Sequence, residues 1–211
     1  MKTEDLIGML ARQAGAAPRH AVARTLAPAV LAGAVASLGL VLALKTPVPA
    51  AFWLTPAPWI KGAYGLALGA AALWWVARSA RPGASSGIAR RAVFGVLAAM
   101  LSLAVMAWAG APAPARLGSL LGTDPLGCIR NVALASVPVA GALFVALRRL
   151  APTRLRSAGA AAGLAAGAIG SIAYSLSCTE TGLPFVAVWY TAGILVVAGL
   201  GALLGPRVLR W

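Results

Sequence analysis

From Cys128 to Cys178 the chain reads CIRNVALASVPVAGALFVALRRLAPTRLRSAGAAAGLAAGAIGSIAYSLSC. Two apolar runs, 128–147 and 157–177, flank a basic turn, Arg148-Arg149-Leu150-Ala151-Pro152-Thr153-Arg154-Leu155-Arg156. Each run is about 20 residues, enough for a helix rising ~1.5 Å per residue to cross a hydrocarbon core of ~30 Å. Residue 153, the midpoint of 128 and 178, falls inside that turn. An antiparallel hairpin folded there brings the two cysteines level at its far end. The stretch therefore predicts a membrane hairpin with a thiol at each open end.

The rest of the chain has the same character. Of 211 residues, 61% are hydrophobic and 10% charged, with a mean hydropathy of +0.87. Soluble domains are about half apolar and a quarter charged, so this chain has too little polar surface to cover a water-soluble globule. Further apolar runs cover 25–44, 59–76, 92–109 and 185–204. The predicted fold is an all-α, six-helix integral membrane bundle over 25–204, with segment 1–24 before it and a tail at 205–211. The first run is too long, and its lead too long, for a secretory signal peptide. The linker at 45–58 holds four prolines and reads as extended; the one at 110–127 reads as a loop.

Charge orients the bundle. Fourteen of the eighteen Lys and Arg residues fall in the two termini and the loops on their side. Lys45, Lys61, Arg116 and Arg130 fall on the other. The positive-inside rule then predicts both termini in the cytoplasm of a bacterial inner-membrane protein. The net charge of +14 is accounted for by those loops, and direct nucleic-acid binding is not expected.

Segment 1–24 offers a short amphipathic helix. Thr3 suits an N-cap, Glu4 and Asp5 suit the first turn, and Leu6, Ile7 and Leu10 form an apolar stripe. Gly15 to Pro18 would end it.

With this topology Cys128 and Cys178 face the periplasm, where disulfides persist. The outward carboxylates, Asp124 and Glu180, both lie beside a cysteine. Gly159, Gly163, Gly167 and Ser171 recur every four residues, a spacing of small residues that lets helices approach closely. Continued helical phase would put Cys178 on that face. Asn131, polar within a membrane run, should face the bundle interior near Cys128. Three readings of the pair stay open: a disulfide clamping the hairpin, a responsive thiol pair, or two unrelated buried cysteines. Cys128, Cys178, Asp124 and Glu180 could also hold a soft metal ion such as zinc or cadmium. No cofactor is otherwise implied. Catalytic constellations are missing from the sequence: there is no CxxC and no HExxH, and the lone His20 precedes the first run. A small transporter or channel and a membrane thiol oxidoreductase are the rival classes. The membrane runs hold no carboxylate to mark an ion path.

Three stretches carry a family resemblance. They are Met1-Lys2-Thr3-Glu4-Asp5-Leu6-Ile7; Gly127-Cys128-Ile129; and Cys178-Thr179-Glu180 followed by Pro184-Phe185-Val186-Ala187-Val188-Trp189-Tyr190. On these the chain resembles the NrsF-type membrane anti-sigma factors, six-helix bacterial proteins that hold an extracytoplasmic-function sigma factor inactive. The resemblance implies a sigma factor as partner. It also implies a role for Cys128 and Cys178 in answering metal or oxidative stress. Thr3, Glu4, Asp5, Leu6, Ile7 and Leu10 are the candidate sigma-binding residues.

Overall fold

The computed structural model describes residues 3–13, 20–81 and 83–210. The side chains of Leu6 and Leu10, and the expected stop at 15–18, lie outside that description. The described residues form helices and no strand. A short α1 (Thr3–Gln13) precedes α2 (Ala21–Leu44), α3 (Pro56–Ser79) and α4 (Gly87–Gly110). Then come α5 (Ala113–Leu121), α6 (Pro125–Arg149), α7 (Leu155–Ser175) and α8 (Leu183–Val208). Six of these chain segments, carrying α2, α3, α4, α6, α7 and α8, are long and apolar enough to cross a membrane.

The helices extend past the apolar runs that predicted them, because turns carrying charge and proline still satisfy backbone groups at the ends. Thus α3 starts at Pro56, with Pro56 and Pro58 in its first turn, where proline costs no hydrogen bond. The linker at 110–127 is not a plain loop, since it folds into α5. Arg116 donates to the carbonyls of Ala111 and Ala109 at the end of α4 (both 3.0 Å) and stacks on Trp108 at 5.2 Å. The extended linker at 45–58 contains a 3-10 turn, Ala50–Leu54. Most of the expected tail is the last turn of α8, and Leu209 beyond it has no exposed surface.

The hairpin of α6 and α7 is present, and α7 is the axis of the whole bundle. Every residue from Ala161 to Ala168, more than two full turns, is buried, so the helix is covered on all sides. Helices α2, α3, α6 and α8 all pack against it. Only a helix of small residues admits neighbours on every side. In lipid, close van der Waals contact must do much of what the hydrophobic effect does in water. Gly159, Gly163 and Gly167 meet the backbone of α8 around Gly201, Val197 and Ile194, and Gly170 meets Ser136 of α6. Gly201 and Gly205 return the contact from α8. On α2, Gly33 lies against the Val139 backbone of α6, and buried Ser37 donates to Ala135 O at 2.5 Å. A cleft of about 490 Å³ opens between α2 and α3, lined by apolar side chains such as Leu38, Leu66 and Ile172.

The bundle has two unlike ends. One holds the ends of α2 and α7 and the starts of α3, α6 and α8; the other holds the arginine-bearing turns.

A methyl group added at Gly163 would lie 2.9 Å from Ala198 Cα and closer still to the Val197 carbonyl. At Gly95 on α4 it would meet nothing within 4 Å. Gly163→Ala should therefore lower stability by about 1–3 kcal/mol through overpacking. Gly95→Ala should be neutral or stabilising by up to about 1 kcal/mol from helix propensity. Thermal unfolding of the two variants in one detergent checks this.

Candidate functional site

The cysteine end is built from several pieces of chain. Pro125 opens α6, and Asp124 caps it by accepting the Gly127 N–H at 2.8 Å. This cap satisfies one of the unpaired donors of a helix start and fixes Cys128 in the first turn, 1% exposed. Cys178 is placed differently from expectation. The last turn of α7 tightens, with the Leu176 and Ser177 N–H groups donating three residues back, and the helix stops at Ser175. Cys178 therefore does not continue the glycine face of α7 but lies in the loop beyond it, 4% exposed. Both are free cysteines.

What covers Cys178 is Lys61. Its Nζ donates to the Cys178 carbonyl at 2.7 Å, and the residue is 2% exposed. The ammonium lies over the rings of Phe52 at 5.4 Å and Tyr190 at 5.6 Å, distances at which aromatic faces attract a cation. Both thiols are within electrostatic reach of it. Charge counting grouped Lys61 with Lys45, Arg116 and Arg130 on the side away from the termini; Lys61 lies at the cysteine end and is buried. The available signal was its position, inside the apolar run at 59–76, where an ionisable residue marks a functional site by default.

Two tyrosines, also missed in the sequence, close the chamber. Tyr190 is 1% exposed and its hydroxyl has no hydrogen-bond partner. It ends a π-turn, Val186–Tyr190, within α8. Such turns are often found at functional sites. Tyr174 of α7 stacks obliquely on Tyr190 at 5.8 Å and accepts from Asn131 Nδ2 at 3.2 Å. Asn131 thus reaches from α6 to α7. Tyr64 of α3 shares a 2.6 Å hydrogen bond with Thr191 of α8.

The carboxylates brace the surrounding loops. Glu180 Oε1 accepts from the Thr123 N–H at 2.8 Å and from Thr123 Oγ1 at 2.5 Å, tying the loop after α7 to the link before α6. In that link Gly122 has φ +58, and a side chain there would run into the Phe185 ring, so the position suits glycine. Trp189 Nε1 donates to Leu120 O at 2.8 Å and holds α5 over the start of α8. Among the described residues, no three His, Cys, Asp and Glu side chains converge as a metal-ligand set. Asp124 and Glu180 flank the cysteines but are engaged with backbone and hydroxyl donors.

At the other end, Arg78, Arg81, Arg154, Ser85, Ser86 and Ser157 line a polar cavity of about 300 Å³. Arg78 Nε donates to Ser85 O at 2.9 Å. On α1, Thr3, Glu4, Asp5 and Ile7 are exposed, as is Met9. The structure thus gathers Cys128, Cys178 and Asn131 into one chamber and leaves the α1 residues apart from it.

Burial this deep sets a simple expectation. A bulky, charged maleimide should label neither cysteine in the folded protein and both after denaturation. Gel-shift counting of modified thiols reads the result.

Comparison with known proteins matches the sequence to a family. The family model described as "Negative regulator of sigma F" (NrsF) matches residues 10–211. A protein of Azospira oryzae named "Probable anti-sigma-F factor NrsF" is 39% identical over 214 residues, covering all of both chains. The "Anti-sigma-F factor NrsF" of Caulobacter vibrioides is 35% identical over 216 residues, again covering all of both. No solved structure matches. With a family model spanning nearly the whole chain and two full-length relatives, the chain belongs to the NrsF family, the negative regulators of sigma F.

Proposed function

We propose that this protein is a membrane-bound anti-sigma factor that holds an extracytoplasmic-function sigma factor at the cytoplasmic face and frees it when its cysteine chamber changes state. The observation that carries the reading is full-length similarity to two proteins named as anti-sigma-F factors. Charge asymmetry supports the orientation: the arginine end, with both termini, lies in the cytoplasm, and the cysteine chamber faces the periplasm of a bacterial inner membrane.

Sigma capture falls to α1 and the arginine turns. Ile7 and Met9 are 55% and 48% exposed on a helix whose first turn is acidic. A helix of this kind docks by laying apolar anchors into a groove. The polar cavity lined by Arg78, Arg81 and Arg154 offers a second contact, suited to acidic side chains of the partner. No enzymatic step is needed. A transporter would need a polar path, whereas the cleft between α2 and α3 is apolar and suits acyl chains.

Release begins in the chamber. A peroxide-type oxidant would take two electrons and two protons from the thiols to leave a disulfide; a soft metal ion would displace the protons. Either changes the packing between the start of α6 and the loop after α7. That motion passes along α7, which touches four membrane helices, to the turn holding Arg154. A tenfold loss of sigma affinity needs about 1.4 kcal/mol of coupling, modest beside a disulfide or a metal–thiolate bond.

Two outcomes test the proposal. Ile7→Asp with Met9→Asp should weaken sigma capture by the full-length detergent-solubilised protein by at least about tenfold, as loss of interface anchors does. Unchanged capture would remove α1 from the interface. The Cys128→Ser, Cys178→Ser double variant should still hold the sigma factor yet fail to induce its regulon under thiol-directed stress. Normal induction would dismiss the thiol switch.

A further inference from the structure

We propose that the cavity between the α3–α4 turn and the start of α7 is a site for a phosphate ester, and that its occupant in the membrane is the headgroup of an anionic phospholipid. The inference does not depend on the sigma-factor reading. It gives the cavity an occupant when no partner's acidic side chain is there.

The charged lining is all donor. Arg78, Arg81 and Arg154 bring three guanidiniums to one space of about 300 Å³, and no carboxylate lines it. Arg78 is steered by its Nε–H, which donates to Ser85 O at 2.9 Å, while the other donors of its fork stay open to the cavity. Among the described residues none of the three guanidiniums makes an ion pair. Like charges gathered this way repel one another until an anion sits between them.

The hydroxyls carry the same sign. Ser85 Oγ accepts from the Gly87 N–H and Ser157 Oγ accepts from Trp75 Nε1, both at 3.3 Å. Each therefore keeps its own proton to donate. Ser86 is 8% exposed and lines the cavity, and its hydroxyl has no partner among the described residues. A buried hydroxyl left so is costly, and an anionic oxygen supplies what it lacks. These donors come from three elements: the end of α3, the turn into α4 and the start of α7. A tetrahedral phosphate accepts from several sides at once, whereas a planar carboxylate is met along one edge by a single fork.

Depth selects the source of the phosphate. Helices α3, α4 and α7 all qualify as membrane spans, and the cavity sits where the three of them end. Arg78 is in the last turn of α3, Ser86 directly precedes α4, and Arg154 directly precedes α7. Tryptophans mark this level as the membrane interface: Trp74 is half-exposed, and Trp75 is tied to Ser157. Ile88, in the first turn of α4, and Phe94 beyond it are exposed, an apolar surface for the acyl chains. Basic pockets between membrane helices at this level take lipid headgroups.

Lipid retention decides this. The full-length protein is held in dodecyl maltoside micelles with equal amounts of phosphatidylglycerol and phosphatidylcholine, and native mass spectrometry counts the lipid that stays bound. One phosphatidylglycerol per chain should be retained, with about tenfold preference over phosphatidylcholine. Arg78→Gln with Arg154→Gln should weaken that retention by at least about tenfold. Arg207→Gln with Arg210→Gln removes the same charge away from the cavity and should leave retention unchanged. Inorganic phosphate at the lipid's concentration should not displace it. Equal retention of both lipids, or equal losses in the two double variants, would overturn the proposal. Displacement by inorganic phosphate would make the site one for a soluble anion and overturn the lipid assignment. Unchanged retention in Arg78→Gln, Arg154→Gln, with sigma capture lost, would give the cavity to acidic side chains of the partner instead. If that variant does not fold, the exposed Arg81→Gln alone should weaken retention about fivefold, and no change there would overturn the proposal. A chain that retains the lipid as expected but captures no sigma factor would end the anti-sigma reading and leave this site standing.

Discussion

Everything in this bundle depends on backbone meeting backbone along α7. Gly159 and Gly163 bring the main chain of α7 against that of α8 at Gly201 and Val197, with no side chain between. Around the rest of α7, alanines leave room for α2, α3 and α6. Among lipid tails, helices gain little from hiding apolar surface, so tight contact is what holds them. The consequence is mechanical. A helix packed on every side cannot shift by itself, and any displacement of its cysteine end must be shared with its neighbours.

The polar chemistry is concentrated where that packing ends. Lys61, Tyr190, Tyr174 and Asn131 join the two thiols in one buried cluster. Backbone there is irregular: the loop holding Cys178, the link with Gly122 at positive φ, and the π-turn of α8. Irregular backbone leaves polar groups that need partners or cover when buried. Here α5 and the Trp189–Leu120 hydrogen bond supply part of the cover. Glu180 ties the loop after α7 to the link before α6, and Asp124 caps the start of α6.

Hydropathy was sufficient to read the six helices, because lipid demands long apolar runs and none of these runs carries more than one charged residue. The small-residue stripe at 159–167 was legible for the same reason: its spacing matches the helical turn. Periodicity failed at Cys178, since a phase argument holds only while the helix lasts, and α7 stops three residues short. α5 was hidden because its proline-flanked, weakly apolar stretch carries no signal stronger than a loop. The burial of Lys61 was not legible from counting charges. The positive-inside rule treats every cation as solvated, and this one has its stem in the bundle and its head on a carbonyl. Tyr190 gave no warning, as a tyrosine near a membrane interface is ordinary.

The proposed switch requires that the cysteine cluster and the sigma-binding face be energetically coupled through α7. Coupling of this kind is a ratio of affinities between two states of the chamber. The most direct measurement is sigma-factor affinity for the full-length protein in nanodiscs, first with both thiols reduced, then with both blocked by methyl methanethiosulfonate. Coupling through α7 predicts a fall of about tenfold or more, equivalent to ~1.4 kcal/mol. The same affinity in both states, with both thiols shown to be modified, would contradict it.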